Sequence, residues 1–136
     1  MENKNSFEKL DAWKEAHKLV IAIYKVTKKF PNEEKFRLID QICRSVSSVA
    51  ANIVEGNSRQ YRKEFLQFLY LSKGSLEETK YHLLLARDLT YITSKEYGNF
   101  IDQCNLVGRL IAGLVKYLRS YIIHLKSYEH ISFFMA

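Results

Sequence analysis

Apolar residues recur at alternating three- and four-residue steps between residues 97 and 125, and this pattern constrains the fold more than any other feature. They are Tyr97, Ile101, Cys104, Gly108, Ile111, Val115, Leu118, Ile122 and Leu125. Such spacing is typical of one face of a long α-helix that packs against other helices. One proline and five glycines in 136 residues leave few interruptions elsewhere. The chain is therefore expected to be all-α.

A second apolar stripe lies beside the first on the same helix. It consists of Phe100, Val107, Leu114 and Tyr121, joined by Leu110 and Tyr117. The core of one bundle needs only the first stripe. Burying a leucine or isoleucine contributes roughly 1.5–3 kcal/mol, so leaving the second stripe in water would forgo a large stabilisation. We therefore predict that Phe100, Val107, Leu114 and Tyr121 contact a neighbouring copy of the chain.

The helix that ends near Gly56 has an unusual outer face. Its apolar stripe is Ile39, Ile42, Val46, Val49 and Ile53, and the opposite face carries Arg44, Ser48, Ala51, Asn52 and Glu55. Small side chains let a further helix approach closely, so Arg44, Ser48, Asn52 and Glu55 are predicted to belong to an interface between copies. Gly56 is predicted to turn left-handed and end the helix.

Turn and capping signals divide the chain into four helices, expected over about residues 7–29, 33–55, 60–89 and 94–126. Pro31 disfavours helix at the residue before it, and Asn32 is expected to cap the second helix. Thr93 and Glu96 have the spacing of a capping box. Short joints predict one antiparallel up-down-up-down four-helix bundle over residues 1–136. The apolar tail 127–136 either extends the fourth helix, docks on another copy or is disordered.

Several classes of protein are disfavoured by the composition. No apolar run approaches the roughly 20 residues of a membrane helix, and the N-terminus lacks a signal core, so a cytoplasmic protein is expected. Cys43 and Cys104 lie within apolar helical patterns and are expected to be reduced core thiols. There is no Glu-x-x-His pair and no phosphate-binding loop, so no metal, cofactor or enzymatic activity is expected.

The net charge of +6 favours an acidic partner, with nucleic acid first. The candidate binding residues are Arg59, Arg62, Lys63, Lys73, Lys80 and Arg87. The last three repeat every seven residues along the third helix, and the first three cluster before it around Tyr61. Rows of cations with interleaved aromatic side chains recognise phosphates and bases. A solvated basic surface without a ligand is the alternative.

Two other functions are consistent with the sequence. Arg119 and His124 resemble the Arg-x(4–6)-His element of the helical HEPN ribonucleases, although Ser120 stands where those enzymes usually place another polar residue. A ribonuclease is thus a less favoured alternative. The other is a protein-only scaffold that engages a partner chain through a groove or through the tail.

Glu55 is predicted to pair with an arginine, because a carboxylate at a helix C-terminus faces the negative end of the helix dipole. Arg44 lies eleven residues earlier, roughly 16 Å along the axis, and cannot reach it within one chain. Arg59 or Arg62 can, as can Arg44 of a neighbouring copy.

Several motifs together resemble a known family. They are LDAWK at 10–14, FP at 30–31, NIVEG at 52–56, KEF at 63–65, FLY at 68–70, and GSL at 74–76 with Glu78. From Phe7 to about Ser120 the chain is similar to the small proteins encoded within intervening sequences of bacterial 23S rRNA genes. Ala50 stands where the family often has proline, and Lys80 stands where it often has an acidic residue.

The resemblance implies an antiparallel four-helix bundle that assembles as a homopentamer with a basic surface. It does not imply any enzymatic activity. Accessory proteins of diversity-generating retroelements are similar, and they associate with nucleic acid and a reverse transcriptase. The expected partners are therefore other copies of the chain, RNA or DNA, and a reverse transcriptase or another protein.

Overall fold

Four α-helices follow one another in the computed structural model, which describes the backbone of residues 5–135 and the side chains of residues 5–122. They are α1 (Asp11–Thr27), α2 (Leu38–Asn57), α3 (Arg62–Asp88) and α4 (Ser94–Met135). Short 3-10 turns at Ser6–Lys9 and Asn32–Glu34 precede α1 and α2. The first two helices thus begin later than the predicted residues 7 and 33. No strand occurs among the described residues, and the all-α prediction is confirmed.

The helices form a ring in which each contacts two neighbours: α1 packs on α2 and α4, and α3 packs on the same two. Contacts between helix ends show in which direction neighbouring helices run relative to one another. Asn57 at the end of α2 donates a hydrogen bond to Ser6, just before α1, at 2.7 Å. Lys29, just after α1, pairs with Glu96 in the first turn of α4. Neighbouring helices therefore run antiparallel, and the predicted up-down-up-down bundle is confirmed.

The seam between α2 and α3 includes buried hydroxyl-bearing residues. The Thr79 hydroxyl donates to the Ser45 hydroxyl at 2.9 Å, and the Ser72 hydroxyl donates to the Val49 carbonyl at 2.7 Å. All three hydroxyl-bearing side chains are buried, and hydrogen bonding offsets the cost of removing them from water. Ser45 and Ala50 are small buried residues of α2 that pack within the chain.

Gly56 does not end α2, so the prediction of a left-handed residue there is wrong. It is a buried helical residue, and no described glycine has a positive φ. A Cβ atom at this position would lie 2.7 Å from Phe68 Cβ and 2.8 Å from Phe65 Cδ1. Glycine is therefore required because the start of α3 packs directly on the backbone of α2.

The start of α2 also differs from the prediction. Asn32 opens a 3-10 turn and does not cap the α-helix, which begins at Leu38. The buried Glu34 carboxylate instead accepts hydrogen bonds from the Leu38 N–H at 3.2 Å and from the Tyr91 hydroxyl at 3.1 Å. Glu34 thus satisfies an otherwise unpaired N–H of the first turn. Burial, together with the Glu34 carboxylate, raises the pKa of the Tyr91 hydroxyl.

The C-terminus of α3 is closed by Thr90, whose φ of 67° is left-handed. The Tyr91 N–H donates to the Ala86 carbonyl at 2.8 Å, and the Thr90 N–H donates to the Arg87 carbonyl at 2.9 Å. These two bonds form a Schellman motif. A β-branched residue in this conformation is strained. The short joint to α4 is therefore held by hydrogen bonds without the usual glycine.

The fourth helix begins with the predicted capping box. The Glu96 N–H donates to the Thr93 hydroxyl at 3.1 Å, and the Thr93 N–H donates to the Glu96 carboxylate at 2.9 Å. The helix then continues to Met135, beyond the predicted end near residue 126. Residues 127–135, predicted as a tail, therefore extend α4. No helix in the described part of the chain combines the length and hydropathy needed to cross a bilayer.

The two apolar stripes of α4 are not divided between the chain and a neighbour as predicted. Val107 has 0% exposure and belongs to the core of its own chain, so its assignment to an interface is wrong. Phe100 and Leu114 are half-buried and pack against the same core, while Tyr121 is 38% exposed. The reason is geometric. Cys104 and Ile111 of the first stripe are buried too, and Val107 lies between them on one face of the helix, three residues after the first and four before the second.

Both cysteines are free, as predicted. Cys104 is buried, and desolvation raises the pKa of its thiol to about 12. Desolvation also raises the pKa of the half-buried Cys43 thiol. Both side chains are therefore protonated at neutral pH and behave as small apolar groups of the core.

Candidate nucleic-acid interface

A groove of about 870 Å³ lies between α3 and α4. Its floor is apolar and is formed by Leu76 of α3 with Ile111 and Val115 of α4. Gly108 and Ala112 add little bulk to the α4 side. The lining residues of α4 extend from 105 to 120, which corresponds to roughly 22 Å along the helix axis.

Among the residues whose side chains are described, five cations line this groove: Lys73, Lys80, Arg109, Lys116 and Arg119. Glu77 is the one carboxylate in the same described set, and it pairs with Lys80 at 2.9 Å. Within the described part of the chain, Lys73, Arg109 and Lys116 have no carboxylate at ion-pair distance. Because their fields add, the groove attracts anions more strongly than scattered surface cations would.

Three arginine–tyrosine pairs bridge α3 and α4 along the same seam. They are Arg62 over Tyr121 (3.6 Å from guanidinium carbon to ring centroid), Arg87 over Tyr97 (4.5 Å) and Arg119 over Tyr70 (5.4 Å). A cation over an aromatic ring is attracted by about 0.5–1 kcal/mol at exposed sites. A guanidinium stacked in this way keeps its in-plane N–H groups available for a phosphate.

The six cations predicted from the sequence separate into two sets. Lys73 and Lys80 line the groove, whereas Arg59, Arg62, Lys63 and Arg87 do not. Arg87 is also paired with Asp88 at 3.1 Å, and Arg59 lies 4.7 Å from the centroid of the Phe68 ring. The structure therefore brings together only the central part of the predicted row.

Sequence reasoning missed Arg109 and Lys116 as binding residues. They are seven residues apart on α4, as Lys73 and Lys80 are on α3. The repeat was visible in the sequence and could have marked them as a second cationic row. The two rows face one groove because of the register between α3 and α4. Periodicity within a single helix does not define that register.

The outer face of α2 is available at the surface of the single chain. Arg44 is exposed and pairs with Asp40 at 3.0 Å, and Glu55 is exposed. The Asn52 side chain donates to the Ser48 carbonyl of its own helix at 2.8 Å. Apart from Arg44 and Glu55, this predicted interface thus presents short side chains.

The predicted local ion pair of Glu55 is wrong. No arginine of the described region lies at ion-pair distance from its carboxylate. Arg59 and Arg62 are instead stacked on aromatic rings. A pair with Arg44 of a neighbouring copy stays a prediction.

The ribonuclease alternative rests on Arg119 and His124. Arg119 is stacked over Tyr70 on the edge of the groove, and His124 lies outside the residues whose side chains are described. Over the described residues, no cluster of three or more histidine, cysteine, aspartate or glutamate side chains could hold a metal ion.

Comparison with known proteins identifies one family and one fold. The family model described as 23S rRNA-intervening sequence protein matches residues 8–113. A crystal structure of a protein of unknown function from the S23 ribosomal protein family of Bacteroides thetaiotaomicron VPI-5482 is similar, with a TM-score of 0.72 and 28% sequence identity. The match covers 77% of this chain and 95% of that chain. Among curated proteins, none matches the sequence.

Proposed function

The chain belongs to the 23S rRNA-intervening sequence protein family, and from this premise we propose that it is a non-enzymatic, homo-oligomeric module that binds nucleic acid through the α3–α4 groove. The ligand is RNA or DNA, held mainly through its phosphates and with little base specificity. In this role the protein is an accessory or ribonucleoprotein component, and a reverse transcriptase or another protein is a further partner.

One observation carries the proposal: four cations without an acidic partner among the described residues face a single groove. Lys73 approaches from α3, and Arg109, Lys116 and the tyrosine-stacked Arg119 approach from α4. A surface that merely keeps a protein soluble intersperses both signs of charge. Here the described part of the lining holds one carboxylate, Glu77, and Lys80 already neutralises it. Phosphates in a row are the ligand class that such an arrangement fits.

Binding is expected to weaken steeply with salt, because each neutralised phosphate releases counterions. Three contacts on a single strand give a slope of log affinity against log salt near −2, or about a 20-fold loss between 50 and 200 mM salt. Fluorescence anisotropy with a labelled oligonucleotide of about 16 nucleotides measures the affinity at each salt concentration.

The same experiment tests the two alternative functions. As a bound ligand the RNA should remain intact on a denaturing gel. Cleavage that is lost in Arg119→Ala or His124→Ala would establish the ribonuclease alternative, and no binding at 50 mM salt would leave the protein-only scaffold.

The proposed homo-oligomer, a pentamer, is supported by the outer face of α2. Ser48, Ala51 and Asn52 leave room for a helix of another copy, and two exposed apolar side chains, Ile21 and Tyr24, lie on the adjacent α1. Tyr24 borders this face, since its hydroxyl and the Ser47 hydroxyl are 3.0 Å apart. With +6 per chain, a five-fold ring would carry about +30, which strengthens attraction of a polyanion.

Ala51→Lys is expected to convert the oligomer into folded monomers, because a long charged side chain would block the small-residue face. Ala51 is exposed in the single chain, so stability of the bundle should change by less than about 0.5 kcal/mol. Light scattering should give about 80 kDa, five times 16.0 kDa, for the unmodified protein and about 16 kDa for the variant. Gln67→Lys, at an exposed site on α3, is the control. A monomeric unmodified protein at micromolar concentration would contradict the assembly.

A further inference from the structure

Resting on the proposed nucleic-acid function, we propose that the α3–α4 groove takes single-stranded RNA or DNA in preference to duplex. The phosphates lie against the cationic rims, and the bases lie against the apolar floor and the ring of Tyr70. The inference specifies the ligand of the site and makes Tyr70 a determinant of specificity.

The floor of the groove is the first argument. Leu76 and Ile111 lie at its base and are each 1% exposed, so the apolar surface open to a ligand comes from Ala112 and Val115, and neither can interact favourably with a phosphate. The faces of nucleobases are apolar and can lie on such a surface once they are unstacked. A duplex keeps its bases stacked inside and offers its phosphates to the solvent, so it can use the rim cations but not the floor.

The width of the groove is the second argument. The axes of packed helices lie about 8–10 Å apart, so the depression between α3 and α4 is narrow. The major groove of a B-form duplex alone is about 12 Å wide, and the whole duplex is wider. A duplex would therefore rest across the two rims. A single strand is thin enough to enter.

Tyr70 supplies the third argument. Its side chain lines the groove, yet the residue is 42% exposed. Arg119 lies over one face of the ring, so a base that stacked on the opposite face would have a cation nearby to bind the adjoining phosphate. Stacking of one base on an aromatic side chain changes affinity by roughly 5- to 150-fold.

The length of the groove sets the size of the site. Roughly 22 Å of α4 corresponds to about six nucleotides at the 3.4 Å spacing of a stacked strand. Arg109 and Lys116 lie about 10 Å apart along the helix axis, which spans about three phosphates of such a strand.

The experiment compares three labelled polyanions on the full chain at one low salt concentration. They are a single strand, its matched duplex and a poly-glutamate peptide of equal charge. Each is titrated by anisotropy with the unmodified protein and with Tyr70→Leu, Tyr70→Phe and Tyr81→Leu. Tyr81 is a matched control because it is 58% exposed and lies on the same helix, α3, outside the groove.

The single strand is expected to bind at least tenfold more tightly than the duplex. Tyr70→Leu should remove most of that difference while changing duplex affinity less than twofold, and Tyr70→Phe should retain it because the ring persists. Equal affinities for both strand states, or an unchanged preference in Tyr70→Leu, would overturn the inference and leave the proposed function standing. Poly-glutamate binding as tightly as the single strand would also overturn it, in favour of an acidic protein partner. No binding of either nucleic acid would refute the proposed function itself.

Discussion

Replacing Lys73, Arg109 and Lys116 together by glutamine is expected to weaken single-strand binding by about 100-fold at 0.1 M salt. Each phosphate contact contributes about 0.7 to the slope of log affinity against log salt, so three contacts account for about two decades at this concentration. The same variant should lower the magnitude of the slope by about 2. None of the three has a carboxylate partner in the described part of the chain, so their removal breaks no ion pair there.

The matched control removes the same charge from other surfaces. Lys25, Lys28 and Lys95 are exposed and do not line the groove. Replacing these three by glutamine also lowers the net charge from +6 to +3. A purely global attraction would be weakened alike in both triple variants. An equal loss in the control would therefore contradict the assignment of the groove, and circular dichroism of both proteins would verify that the helices are intact.

Gly56→Ala is expected to destabilise the protein by about 1–3 kcal/mol, although alanine is the better helix former. In an exposed helix the exchange would stabilise by about 1 kcal/mol, since glycine loses more backbone entropy on folding. At Gly56 the added Cβ would lie 2.7 Å from Phe68 Cβ and 2.8 Å from Phe65 Cδ1. These atoms cannot move without shifting α3, and overpacking of this kind costs about 1–3 kcal/mol. Urea denaturation at fixed protein concentration measures the free energy of unfolding.

Gly74→Ala is the control for helix propensity. Gly74 lies in the interior of α3, and a Cβ atom there would have no neighbour within 4 Å. Alanine at this position should therefore raise the free energy of unfolding by about 0.5–1 kcal/mol. If Gly56→Ala stabilised the protein as Gly74→Ala does, the close approach of α2 and α3 would be incorrect.

Local signals in the chain were sufficient for the fold class and for part of its detail. The apolar periodicities defined four helices, and the Thr93 and Glu96 spacing located the start of α4 at Ser94. Both depend on interactions between residues three or four positions apart, and such local interactions can be inferred directly from the sequence. The antiparallel arrangement followed from the shortness of the joints.

Two failed predictions of helix ends involve residues from the next helix or from a distant joint. Gly56 was predicted to end α2, but Phe65 and Phe68 of α3 pack against it inside the helix. Asn32 was predicted to cap α2, but the Glu34 carboxylate at this joint is held by the hydroxyl of Tyr91, 57 residues later. In each case a tertiary contact overrode a local preference worth about 1 kcal/mol.

The candidate site likewise combines features set by the sequence with features set by helix packing. Each helix carries its cations at a seven-residue repeat: Lys73 and Lys80 on α3, and Arg109 and Lys116 on α4. The sequence by itself therefore determined that each helix has a basic row. Only the packing of α3 against α4 decided that the two rows share one groove with an apolar floor and Tyr70. The physical reason is that a helix repeat defines angles about one axis, whereas a site between two helices also requires their relative rotation and register, which side-chain packing sets.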